Sequence, residues 1–171
     1  MKKVAIQGVK GSFHHQVAHQ YFGNQIDLHE CLTFAEMPHL LHQNKVTFAV
    51  MAIENSIAGS LLPNYKLIDE FDLKIVGEIF LLIHHQLLAL PGQTIDDIIE
   101  VHSHPMALQQ CEVFFEKYPH ISLVESKDTA ESALQIARNQ QGKIGAIASS
   151  MAGTLYGLET IAANIQTYKN N

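Results

Sequence analysis

Short apolar runs rich in β-branched residues alternate with segments of helical pattern along almost the whole chain, and this alternation restricts the fold more than any other feature. KVAIQG (3–8), IDLHECL (26–32), TFAVMAI (47–53), IIEVHS (98–103), ISLVES (121–126), KIGAIAS (143–149) and LETIAANI (158–165) read as strands. HHQVAHQYF (14–22), FAEMPHLLHQN (34–44), LLPNYKLIDEF (61–71), PMALQQCEVFFEKY (105–118), TAESALQIARNQ (129–140) and the shorter SMAGTLYG (150–157) read as helices. Pro38 and Pro105 fall near helix starts, where a missing N–H is tolerated, and Asp128 is placed to cap the helix after it. LKIVGEIFLLIHHQLLAL (73–90) is extended but too long for one strand, and reads as a strand pair or a crossing between lobes. Alternating β and α units imply parallel sheets covered by helices. Two such sets in 171 residues imply two small α/β lobes.

Composition excludes several functions. Hydrophobic content of 47% and charged content of 16% describe an ordered chain. A net charge of −6, with Arg138 the one arginine, argues against a nucleic-acid partner, which wants a basic face. No window of about 18 uninterrupted apolar residues is present, so no membrane span is expected. The start, MKKVAIQGVKG, reads as a first strand and not a secretory signal. Cys31 and Cys111 lack metal or redox spacing and read as reduced thiols of a cytoplasmic protein.

The strand-to-helix junctions carry the chemistry. GVKGSF offers Gly8, Gly11 and Ser12, IENSIAGS offers Asn55, Ser56 and Gly59, HSHP offers Ser103, KDTAES offers Thr129, and ASSMAG offers Ser149 and Ser150. In open α/β sheets ligands bind outside the carboxyl ends of the strands. Helix N-termini there expose N–H groups and a partial positive charge that favour anions. Each junction taken singly is also an ordinary helix cap. Together they suggest a small anionic ligand held in a cleft between the lobes. Glu54 reads either as a catalytic acid or base, or as a hydrogen-bonded structural carboxylate.

Eleven histidines raise a metal site as an alternative. His15 and His19 are four apart on a helix, and His84–His85 and His102/His104 are close, yet none has a carboxylate or third ligand in a zinc pattern. No metal is therefore expected. There is no G-x-S-x-G elbow, neither cysteine is expected at a strand end, and there is neither a P-loop nor a dinucleotide fingerprint.

These segments together resemble prephenate dehydratases. GVKGSF is similar to that family's G-P-x-G-[TS]-F-[ST] opening, AIENSIAGS to its P-I-E-N-S-x-x-G segment, and VHSHPMALQQC to its x-S-H-P-x-A-L-x-Q-C segment. DTAESA and IASSMAGTLYGLETIAANIQ resemble its later segments, so the likeness covers nearly the whole chain. Val9, His14 and Ala52 depart from the usual proline, Ser or Thr, and proline.

The resemblance implies a two-lobed fold like the type 2 periplasmic binding proteins, with a first lobe of about 1–77 plus the end segment 165–171 and a second of about 78–164. It implies decarboxylating dehydration of prephenate to phenylpyruvate in L-phenylalanine biosynthesis, with no cofactor, by a cytoplasmic homo-oligomer, dimeric or larger. It implies Asn55, Ser103 and Gln110 in the catalytic site with Glu54 in support, and Ser12, Ser56, Gly59, Thr129 and Ser149 as substrate-binding candidates. Arogenate is an alternative substrate, and a non-catalytic module binding a small anionic effector is an alternative use of the same fold. The family carries a Thr-Arg-Phe motif a few residues beyond its NIQ segment, often followed by a regulatory ACT domain. This chain ends at NIQTYKNN, so the resemblance implies a catalytic domain cut just before that motif, with the proton-donating threonine outside it.

Overall fold

A computed structural model describes residues 1–169 as two compact units. Among the described residues the first comprises Met1–Val9 and Phe13–Leu82, and the second comprises Lys10–Ser12 and residues 83–169.

The first unit is built on a three-stranded parallel sheet in the order β2-β1-β3, from β1 (Lys2–Gln7), β2 (Ile26–Cys31) and β3 (Phe48–Val50). Val4, Ala5 and Ile6 in the central strand are wholly buried because helices cover both faces. Val4 and Ile6 cluster with Ala18 of α1 (Phe13–Phe22), while Ala5, between them in sequence, clusters with Met37 of α2 (Glu36–His42). Burying each of the larger side chains contributes about 1.5–3 kcal/mol. Ahead of α2, the backbone N–H and hydroxyl of Thr33 both donate to Glu36 Oε1, at 2.8 and 3.0 Å. A two-residue hairpin, β4 (Glu54–Asn55) with β5 (Gly59–Ser60), precedes α3 (Leu62–Glu70).

The second unit holds a five-stranded mixed sheet, β10-β6-β9-β7-β8. Its elements are β6 (Gln86–Ala89), β7 (Glu100–Ser103), α4 (Pro105–Phe115), β8 (Ser122–Glu125), α5 (Thr129–Asn139), β9 (Ile144–Ala148), α6 (Ser150–Tyr156) and β10 (Glu159–Ala162). Strands β7, β8 and β9 are parallel, and β6 runs antiparallel to both β9 and β10. Leu87, Val101 and Ile147 from the sheet pack with Leu108, Cys111 and Phe115 of α4 in the main core. Pro105 stands at the first helical position of α4, and Asp128 Oδ1 caps α5 by accepting from Glu131 N at 2.9 Å. Among the described residues no helix is long and apolar enough to cross a membrane.

The fold is α/β with parallel and mixed sheets, as the sequence pattern implies, but several details differ. From Leu73 to His85 there is no regular strand, and only Gln86–Ala89 of the long apolar stretch joins a sheet. That strand pairs with a neighbouring strand on each side, whereas residues 73–85 pair with none among the described residues and place their backbone hydrogen bonds elsewhere, as in Leu73 N to Ile68 O and Ile165 N to His85 O. The strand expected over 47–53 stops at Val50. The end segment, expected with the first lobe, bonds to the second unit instead: Ile165 N donates to His85 O and Thr167 N to Gln110 O. Asn170 and Asn171 of that segment lie outside the described residues. Cys31, not expected at a strand end, is the last residue of β2, where its carbonyl accepts from Gly8 N at 2.8 Å.

Candidate active site

In the first unit the IENS segment forms the β4–β5 hairpin. Asn55 Oδ1 accepts from the backbone N–H of both Ile57 and Ala58, each at 2.9 Å, which closes the turn. Gly59 follows with φ +77, a left-handed conformation that glycine adopts without steric cost. With its oxygen so occupied, Asn55 cannot rotate its amide without breaking two bonds, and Nδ2 has no partner among the described residues. The side chain is left as a pure donor on a half-buried residue. Glu54 Oε1 accepts from Ser60 Oγ at 3.0 Å and Tyr65 OH at 2.8 Å. The bond to Glu54 is the main reason that Tyr65 holds its proton above the usual phenol range. Asn64, buried in α3, donates from Nδ2 to Ala52 O at 2.7 Å and braces the irregular segment leading into the hairpin. Ser56 is exposed in the turn.

In the second unit the parallel strands β7, β8 and β9 end on one side of the sheet. Ser103 closes β7, wholly buried, and its Oγ donates to Ile147 O in β9 at 2.7 Å. Ser149 follows β9 and caps α6: Oγ accepts from Ala152 N at 3.0 Å and donates to Gly11 O at 2.5 Å. Thr129 is the first residue of α5, and Ser12 is buried. Topology thus brings Ser103, Thr129 and Ser149 to one end of the sheet, where loops and helix starts meet.

Gln110 projects from α4 into a buried polar network. Its Oε1 lies 2.7 Å from His85 Nε2, and both residues are buried. His85 N donates to Gln166 Oε1 at 3.0 Å, and Gln86 and Asn164 bond to one another through side chain and backbone. Burial is the larger influence on the His85 imidazole and favours its neutral form. A neutral ring facing a carboxamide oxygen carries its proton on Nε2.

Sequence reasoning missed His85 and Tyr65. The pair His84–His85 is the signal for His85, but the sequence favours scattered surface or core histidines over metal ligands and gives them no further role; nothing local marks Tyr65. Among the described residues no three His, Cys, Asp or Glu side chains are grouped to hold a metal. The nearest approaches are pairs, His15 Nε2 with His19 Nε2 at 3.0 Å and His102 Nε2 with Glu100 Oε2 at 2.9 Å. The second of these supplies a carboxylate that the sequence reading did not foresee. Burial pushes the Cys31 thiol up to about 11 and the Cys111 thiol up to about 12, so neither is a ready nucleophile. Arg138 is exposed in the last turn of α5.

Comparison with known proteins agrees with the motifs. The prephenate dehydratase family model matches residues 4–171. Arogenate dehydratase/prephenate dehydratase 2, chloroplastic, of Arabidopsis thaliana is 39% identical over 96% of this chain and 42% of its own length. Among solved structures, the prephenate dehydratase of Arthrobacter aurescens in complex with L-Phe superposes with TM-score 0.89 at 21% identity, covering 99% of this chain and 57% of that one. GqqA, described as a novel type of quorum quenching acylase, superposes with TM-score 0.87 at 31% identity, covering 97% and 60%. The chain spans about two fifths of the length of the curated relatives it matches. With its signature segments and its fold both matching, the chain belongs to the prephenate dehydratase family.

Proposed function

We propose that this chain is the dehydratase domain of an enzyme that converts prephenate to phenylpyruvate. In that reaction the ring carboxylate leaves as CO2. Its bonding electrons move through the ring, and the ring hydroxyl departs with an added proton as water. Aromatisation drives the step, so the protein has to orient a dianion, stabilise shifting charge and deliver one proton. A positioned proton donor contributes about 10²–10⁴ in rate, and donors aimed at developing charge contribute a comparable factor.

The observation that carries the reading is Asn55, whose oxygen is consumed by Ile57 and Ala58 so that only N–H donors remain for a ligand. A group that can donate but not accept suits a carboxylate or a departing hydroxyl. Gln110 has the same character, its oxygen being held by His85. In this reading Asn55, Gln110 and Ser103 contact substrate, Glu54 holds the hairpin, and Ser12, Ser56, Gly59, Thr129 and Ser149 line the approach of its carboxylates. By the same resemblance the protein works in the cytoplasm as a homo-oligomer.

Arogenate is the second reading, supported by the name of the 39% identical plant relative. An acylase reading, from the name of the 31% identical structure, would need a hydroxyl beside a base. Ser103 and Ser149 instead direct their protons to the carbonyls of Ile147 and Gly11. The test is to supply prephenate and arogenate separately to the full-length protein that carries this domain and follow phenylpyruvate and phenylalanine. Phenylpyruvate formed from prephenate at the higher kcat/KM is expected. Preference for arogenate would replace the substrate, and binding of prephenate without turnover of either would favour an anion-binding module.

A further inference from the structure

Resting on the dehydratase reading, we propose that His85 is a positioning residue whose Nε2–H selects which end of the Gln110 carboxamide faces the substrate. The two ends of a carboxamide have nearly the same shape but opposite hydrogen-bonding character. A Gln110 turned the wrong way would present oxygen to an anionic substrate and repel it. Its orientation must therefore be decided by a neighbour, and the described structure supplies one: His85 Nε2, 2.7 Å from Oε1.

The choice is enforced from both sides. His85 is 3% exposed, and its backbone is clamped by Gln166 Oε1 on the N–H and by Ile165 N on the carbonyl. The backbone of Gln110 is tied to the same segment, since its carbonyl accepts from Thr167 N at 2.8 Å. The imidazole thus has little freedom to withdraw. The Gln110 amide nitrogen, by contrast, has no partner among the described residues and is not among the buried unpartnered atoms, so solvent or a ligand reaches it. One end of the carboxamide is held in the interior and the other is open. A buried pair serving stability alone would have no need to leave the donor end accessible.

The experiment uses the full-length protein that carries this domain, with His85→Leu, His85→Gln and Gln110→Ala, each checked for folding by circular dichroism. Losing the orientation of one donor should lower kcat/KM for prephenate about 10-fold or more in His85→Leu. His85→Gln can still offer an amide N–H to Oε1 and should recover most of that loss. Adding His85→Leu to Gln110→Ala should cost nothing further, because His85 acts through Gln110. In a 15N-labelled protein the Gln110 side-chain amide signals, assigned by their disappearance in Gln110→Ala, should be dispersed in wild type and His85→Gln and move toward free-glutamine positions in His85→Leu. Wild-type turnover with His85→Leu equally active, or unchanged Gln110 signals in His85→Leu, would overturn the proposal. So would additive losses in the double variant. Should His85→Leu fail to fold, a His85→Gln variant that folds but stays as inactive as Gln110→Ala would also overturn it. A wild type that turns over no prephenate while His85→Leu still shifts the Gln110 signals would overturn the dehydratase reading and leave the coupling of the pair intact.

Discussion

Ser149 and Gly11 are joined across 138 residues of sequence: the serine hydroxyl donates to the glycine carbonyl, and Gly11 packs directly on Ala152, three residues beyond that serine. Tyr156, at the end of the same helix, donates from its hydroxyl to Lys10 O. The GVKGSF turn is thereby fastened to α6 by both ends of the helix. Gly11 has φ +89, and a Cβ there would lie 2.9 Å from the Ala152 Cα, a backbone atom that cannot step aside.

Gly11→Ala should therefore destabilise the protein by about 2–4 kcal/mol, combining the left-handed conformation with overpacking. Urea denaturation measures it. A loss under about 1 kcal/mol would mean that the turn relaxes freely and is not held by α6.

Asn55 separates folding from function. Asn55→Asp keeps an oxygen for the Ile57 and Ala58 N–H groups, so the hairpin should survive with little change in urea midpoint. The open end becomes a negatively charged acceptor, and kcat/KM for prephenate should fall by about 10²–10³. Asn55→Ala should lose both the turn and the donor. Undiminished turnover in Asn55→Asp would remove Asn55 from the substrate contacts.

The cap of α5 contrasts charge with hydrogen bonding. Burial, the largest influence on Asp128, raises its carboxyl above the usual range, and the backbone N–H groups of Glu131 and Ala130 only partly offset this. Asp128→Asn keeps an oxygen for Glu131 N and removes the buried charge, so at pH 7 it should match or exceed wild type in stability. Asp128→Ala should cost about 1 kcal/mol by losing the cap. Equal destabilisation by both changes would show that the charge itself is needed.

His14 makes stability depend on pH. Its Nε2 is buried without a hydrogen-bond partner among the described residues, and burial lowers the imidazole from 6.5 to about 4. His85 is shifted in the same direction by burial. The unfolded chain then binds a proton that the folded chain refuses, so stability is full above about pH 6.5 and declines toward pH 4. His14→Phe, which keeps a ring against Phe34, should flatten much of that decline in urea midpoint, leaving the part due to His85. A variant with the same slope as wild type would show that His14 does not sense acid.

The elements that the sequence determined unaided are those governed by local chemistry. Pro105 at the first position of α4, Asp128 capping α5 and the strand over Val4, Ala5 and Ile6, whose side chains alternate between the two faces of the sheet, follow from φ restriction, side-chain capping and strand pleat. The signature segments carried the family, because tight turns with Asn55 or Gly11 tolerate few residue types. Pairing over long distances was decided elsewhere. Whether Leu73–Ala89 forms one strand, two or a short one depends on which edges are available, and only Gln86–Ala89 meets β9 and β10. Residues 165–169 join the second unit because buried Gln166 satisfies the backbone N–H of His85, eighty-one residues away. No window of sequence contains both members of such a pair. His85 likewise reads in the sequence as one histidine among eleven, and only the fold sets it against Gln110, because hydrogen-bond partners in a core are chosen by packing and not by spacing along the chain.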